Sequence, residues 1–170
     1  MSGVLARWNS LSQEDAAREI LPCCGSETWA AHMASKRPIH DEVSLIETSD
    51  AIWQGLRESG WLEAFRSHPR IGESGAETNA TVQSSAWSEQ EQRQADSADE
   101  AMKVALKWGN REYEQKFGRI FIVCATGKSA TEILEILRRR LHNDEAIELQ
   151  QTAEEQRQIM HIRLRKWIAG

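Results

Sequence analysis

The chain has 170 residues, 40% of them hydrophobic and 28% charged, with a formal net charge of −5. A domain of that size can bury a core without disulfides or a structural metal, and without a dense basic block it is a poor match for nucleic acid. No apolar run approaches the ~20 residues of a membrane span, and the opening MSGVLARWNS lacks the apolar centre of a signal peptide.

In chain order, Ser12-Gln13-Glu14-Asp15 has the pattern of a capped helix start, and Pro22 to Gly25 ends that element. Ser26 can cap a short helix that carries Trp29 and Met33 and stops before Pro38. Leu45, Ser49, Ile52 and Leu56 recur at helical spacing, which predicts an amphipathic helix over 43–59, broken by Gly60. Trp61, Leu62 and Phe65 form another turn of helix. It must end near His68, because Pro69 pushes its predecessor out of the helical region. Residues 72–84 are small and polar and read as a loop.

A long helical pattern follows over about 86–116, with Gly118 as its stop and Gly109-Asn110 as a place for a kink or break. IFIVCA, residues 120–125, is apolar and β-branched, but one extended segment cannot make a sheet. Ser129-Ala130-Thr131-Glu132 fits a capping box for a helix to about Leu141, and a last helix runs over about 144–168. The expected fold is therefore all-α: a single-domain multi-helix bundle spanning 1–170 with one short extended apolar segment at 120–125.

Three groups of polar residues invite a functional reading. Ser88, Glu91 and Gln92 share a stripe with Ala95, Met102 and Leu106, which would turn them toward the core. Ser88-x-x-Glu91 is equally the signature of a capping box. Arg163 lies about 60° from the centre of the apolar stripe of the last helix, at ~100° per residue. It either borders the core or snorkels along it. His68 is either a working imidazole or a loop histidine bonded to backbone. Arg140, at the end of its helix, suits a structural role beside the C-terminal dipole.

Other patterns are incomplete. Gly127-Lys128-Ser129 lacks the upstream glycine of a phosphate loop, since Ile122 stands there. Cys23, Cys24 and Cys124 have no zinc-ligand spacing, and no His-x-x-x-His pair exists. The cysteines read as reduced, in keeping with a cytoplasmic protein.

SHPRIGE (67–73), WSEQEQRQA (87–95), NREYEQKFGRIFIVCATGKSATEIL (110–134), RRRLHND (138–144) and EEQRQIMHIRL (154–164) together resemble the OHCU decarboxylase family. OHCU is 2-oxo-4-hydroxy-4-carboxy-5-ureidoimidazoline. HPxIG, S-x-x-E-Q and Y-x-x-K-F-G in this order make a specific combination. The resemblance implies an all-helical, cofactor-free enzyme, commonly a homodimer. Its reaction would convert OHCU to (S)-allantoin with loss of CO2 during urate breakdown. It also implies that His68, Glu91 and Arg163 are catalytic, that Pro69, Ser88, Gln92, Ile122 and Ala125 bind substrate, and that no metal is needed. Two rival readings predict different things. A non-catalytic helical interaction module would use the polar cluster only as caps. A metal-dependent hydrolase would combine His68 and Glu91 with a further histidine.

Overall fold

The structure of the chain is a computed structural model that describes residues 3–72, 82–91, 93 and 100–170. Among the described residues there are nine α-helices, one 3-10 turn and no strand. The fold is all-α. By compactness the chain forms two units, Met1–Ala64 with Arg157–Gly170, and Phe65–Gln156.

The first unit begins with α1 (Gly3–Ser10), α2 (Gln13–Ile20), a 3-10 turn (Leu21–Cys23) and α3 (Glu27–Ser35). Helix α1 was not anticipated, because eight residues carry too few apolar repeats to stand out. Ser12 and Ser26 act as the expected N-caps, accepting from the Asp15 and Trp29 amides at 3.1 and 3.2 Å. Tryptophans anchor this core: Trp8, Trp29 and Trp53 are fully or almost fully buried. The Trp8 indole N–H donates to the Ala16 carbonyl at 2.9 Å, so burial leaves that polar edge satisfied. Arg37 donates from Nη1 to the carbonyls of Trp8 and Leu11 and from Nε to that of Ala34, filling orphan acceptors at helix ends.

Helix α4 spans Glu42–Gly55 and α5 spans Glu58–Phe65. The break expected at Gly60 therefore lies earlier. Leu56 takes extended angles (φ −69°, ψ 149°) and ends α4, while Gly60 sits inside α5. A Cβ on Gly60 would meet Leu56 Cδ1 at 3.2 Å, so this glycine serves close packing rather than helix breaking.

In the second unit, α6 (Val82–Glu91) and α7 (Glu100–Phe117) replace the single helix expected over 86–116. Arg93 is in a turn, and its N–H donates to the Gln90 carbonyl. Residues 94–99 lie outside the described residues. The stripe from Ser88 to Leu106 is therefore not one helix face, and Ala95 lies outside the described residues.

Gly118 (φ +66°) closes α7 in the left-handed conformation, its N–H donating to the Glu114 carbonyl at 2.9 Å. Gly109 does not break α7, which runs on through it. A Cβ there would fall 2.0 Å from Leu137 Cδ2 on α8 (Ala130–Arg140), so the glycine lets the two helices approach. Leu137 is fully buried and has no room to swing away. Gly109→Ala is expected to destabilise the fold by about 1–3 kcal/mol through overpacking. The denaturant midpoint reads this directly, and an unchanged midpoint would refute the close approach.

IFIVCA is extended and buried throughout, as expected. The capping box at Ser129 and Glu132 is formed in both directions. The last helix, α9, spans Glu145–Ala169.

Candidate active site

His68 follows directly on the end of α5. Its N–H donates to the Phe65 carbonyl at 3.3 Å, a turn that Pro69 prevents from continuing as helix. The segment beyond is pinned twice to α7. Arg70 forks onto the Glu114 carboxylate, with Nη2 at 2.7 Å and Nε at 3.1 Å. Asn110 Nδ2 donates to the Ile71 carbonyl at 2.9 Å. His68 is thus buried on a bend that cannot drift, not displayed on a loose loop. Its Nε2 lies 2.6 Å from Gln156 Oε1 on α9, and Pro69 beside it is buried.

Ser88 and Glu91 lie in the last turn of α6, not the first. The capping-box reading is thereby excluded, since a helix has no orphan N–H groups at its C-terminal end. Ser88 is buried and Glu91 half-buried. Gln92 lies outside the described residues.

The extended segment brings the two ends of this unit together. The Cys124 N–H donates to the Glu155 carboxylate at 2.7 Å. Burial pushes the Cys124 thiol up from its usual range, Lys128 pulls it down, and the charges of Glu155 and Glu91 add to the rise. Contacts run from His68 to Gln156, and from the adjacent Glu155 to the Cys124 amide. A buried imidazole and an amide thus stand on a turn of α9 tied to the apolar segment, and such an imidazole is suited to moving a proton on a small polar molecule.

The carbonyls of Ile122 and Ala125 are engaged, by Arg140 Nη1 at 2.7 Å and by the Lys128 N–H at 3.0 Å. Arg163 belongs to the first unit. It is completely buried, so it does not snorkel, and its Nη1 donates to the Pro22 carbonyl at 3.3 Å. Among the described residues no three His, Cys, Asp or Glu side chains are grouped to hold a metal ion. Cys23, Cys24 and Cys124 are buried, and no disulfide joins them. Burial raises the Cys24 thiol to about 12, far from a reactive thiolate.

Sequence reasoning missed Gln156 and Glu155. The available signal was position: Gln156 stands three residues after Ala153 and four before Met160, on the flank of the apolar stripe of α9.

The motif order has a direct counterpart among known proteins. The family model for OHCU decarboxylase matches residues 9–165. The chain belongs to the OHCU decarboxylase family. It is 30% identical over 167 residues to the 2-oxo-4-hydroxy-4-carboxy-5-ureidoimidazoline decarboxylase of Amia calva, covering 92% of this chain and 89% of that protein. It is 33% identical over 157 residues to the uric acid degradation bifunctional protein of Arabidopsis thaliana, again across 92% of this chain. The chain spans only 48% of that longer relative. A crystal structure of an OHCU decarboxylase in the presence of (S)-allantoin superposes with a TM-score of 0.77 at 32% identity, covering 89% of this chain and 98% of the other. Membership of the family accounts for the HPxIG and S-x-x-E-Q motifs together, which neither caps nor core packing require.

Proposed function

We propose that the chain decarboxylates OHCU to (S)-allantoin, a step of urate degradation. The observation that carries this reading is a rigidly held, buried imidazole at His68, in contact with Gln156, in a chain of this family.

The chemistry makes modest demands. The carboxylate of OHCU is attached to the hydroxyl-bearing ring carbon, next to a C=N bond. When the bond to CO2 breaks, its electron pair moves toward that C=N, whose nitrogen gains a proton. The hydroxyl carbon then becomes a carbonyl as the neighbouring carbon takes up the proton that sets the stereocentre. What remains for the protein is orientation, charge stabilisation and proton delivery.

His68 is assigned to the reacting end, where it manages the proton. Glu91, with Gln92 and Ser88, is assigned to the ureido and ring N–H groups. For Arg163 the family resemblance alone supports a role, the developing negative charge, which a planar fork of donors suits. Pro69 holds His68 out of the helix and is assigned to substrate binding. Ile122 and Ala125 already use their carbonyls, so they would meet the substrate through N–H.

Freshly prepared OHCU decays by itself to racemic allantoin, so rate and optical rotation must be followed together. The expected result is rapid growth of (S)-rotation; racemic product at the uncatalysed rate would refute the reading. We also assign the enzyme to the cytoplasm as a homodimer. No described helix is long and apolar enough to cross a membrane, and the three thiols are unpaired as disulfides. Light scattering on the eluting protein tests the dimer.

A further inference from the structure

We propose that Gln156 is a positioning residue for His68: its amide oxygen holds the imidazole as the Nε2–H tautomer and fixes the plane of the ring, so that proton exchange runs through Nδ1. The role assigned to that exchange rests on the decarboxylase reading; the tautomer does not.

The central observation is the 2.6 Å contact between His68 Nε2 and Gln156 Oε1. An amide oxygen only accepts, so Nε2 must donate whether the imidazole is neutral or protonated. Both side chains are buried, His68 at 6% exposure and Gln156 at 0%, so water competes poorly for either. A buried amide left without its partner costs free energy, which ties the ring to this orientation.

The contact is also held from both sides. Arg70 and Ile71 are fastened to α7 through Glu114 and Asn110. On α9 the neighbouring Glu155 accepts from the Cys124 amide and from Gln151 Nε2, the latter at 3.2 Å. The turn of α9 that presents Gln156 is therefore locked to the extended segment. A neutral amide also differs from the carboxylate that orients histidine in a serine-protease triad. It fixes tautomer and plane without placing a charge on the ring, so the imidazole can both give and take a proton in one cycle.

The test uses the full chain labelled with 15N-histidine. The His68 signals are assigned by their loss in His68→Asn, and spectra are taken where the imidazole is neutral. The expected spectrum shows protonated Nε2 and unprotonated Nδ1. A protonated Nδ1 would overturn the proposal. Gln156→Met keeps the volume and removes the acceptor. It should erase the Nε2–H preference and lower kcat about 10- to 100-fold, the scale seen when the partner that orients a metal-bound histidine is removed. KM should stay near wild type, because binding is not what was lost. Gln156→Glu restores an acceptor oxygen and should restore the Nε2–H signal. An unchanged kcat in Gln156→Met, with wild type active on OHCU, would remove Gln156 from the mechanism. A wild type inert toward OHCU that still loses the tautomer preference in Gln156→Met would sink the decarboxylase reading and leave the ring assignment standing.

Discussion

His68→Ala and Glu91→Ala are each expected to lower kcat on OHCU at least ~100-fold, the usual scale for a lost acid–base group. Circular dichroism and the thermal midpoint should show that the fold persists. The two variants stress the structure differently. His68→Ala empties a buried position and leaves Gln156 Oε1 without its donor, which costs about 1–3 kcal/mol. His68→Gln is therefore the cleaner probe, since its amide nitrogen falls near the place of the imidazole Nε2, keeps a donor toward Gln156 and cannot shuttle protons near neutrality. Glu91 is half-buried at the end of α6, so Glu91→Ala should cost little stability. A folded protein with near-normal turnover in either series would take that residue out of the chemistry. An equal loss in both kcat and kcat/KM would place the lost interaction in the transition state.

The helical frame could be read from local chemistry because caps and stops act over three or four residues. Ser12, Ser26 and Ser129 each cap the helix their spacing implies, and Gly118 ends α7 with the left-handed angles only glycine adopts cheaply. Errors arose where one residue type serves two purposes. Glycine reads as an interruption at Gly60 and Gly109, yet both sit in helices: a Cβ on Gly60 would press tightly on Leu56, four residues back, and one on Gly109 would collide with Leu137. The second collision depends on a tertiary neighbour, and no local pattern reveals it.

The split between α6 and α7 is invisible in the apolar spacing, which runs on through residues 86–116. The same oversight blurred the meaning of Ser88 and Glu91: with the wrong helix start, a capping box was plausible. His68 was visible through its proline, but Gln156 was not, since the two are 88 positions apart. An amide among apolar repeats reads as noise until the histidine it faces is known.

Arg140→Ala should cost stability far more than rate. Arg140 is buried, and both its Nε and Nη2 donate to Glu148 Oε1, at 2.8 and 2.6 Å. Nη1 reaches the Ile122 carbonyl, and the guanidinium lies over the Phe121 ring with 4.7 Å to its centroid. Glu148, itself fully buried, also accepts from the Tyr113 hydroxyl at 2.6 Å and from Asn143 Nδ2 at 2.9 Å. Burial, then the bond to Glu148, raises the Tyr113 phenol to about 12, so Tyr113 stays neutral and keeps donating at any physiological pH.

Removing Arg140 would strand the Glu148 carboxylate in the interior, where an uncompensated charge costs about 3–5 kcal/mol. At about 2–4 °C per kcal/mol for a chain of this size, Tm should fall by roughly 6–20 °C. The protein that remains folded should keep most of its kcat, because Arg140 meets the extended segment at the Ile122 carbonyl and the Phe121 ring and leaves the Ile122 N–H assigned to the substrate untouched. Replacing both partners with apolar residues, Arg140→Met with Glu148→Leu, should recover part of the loss that Arg140→Met alone incurs, since no bare charge is then buried. An Arg140→Ala protein with an unchanged Tm and a collapsed kcat would instead put this guanidinium, and not Arg163, at the substrate.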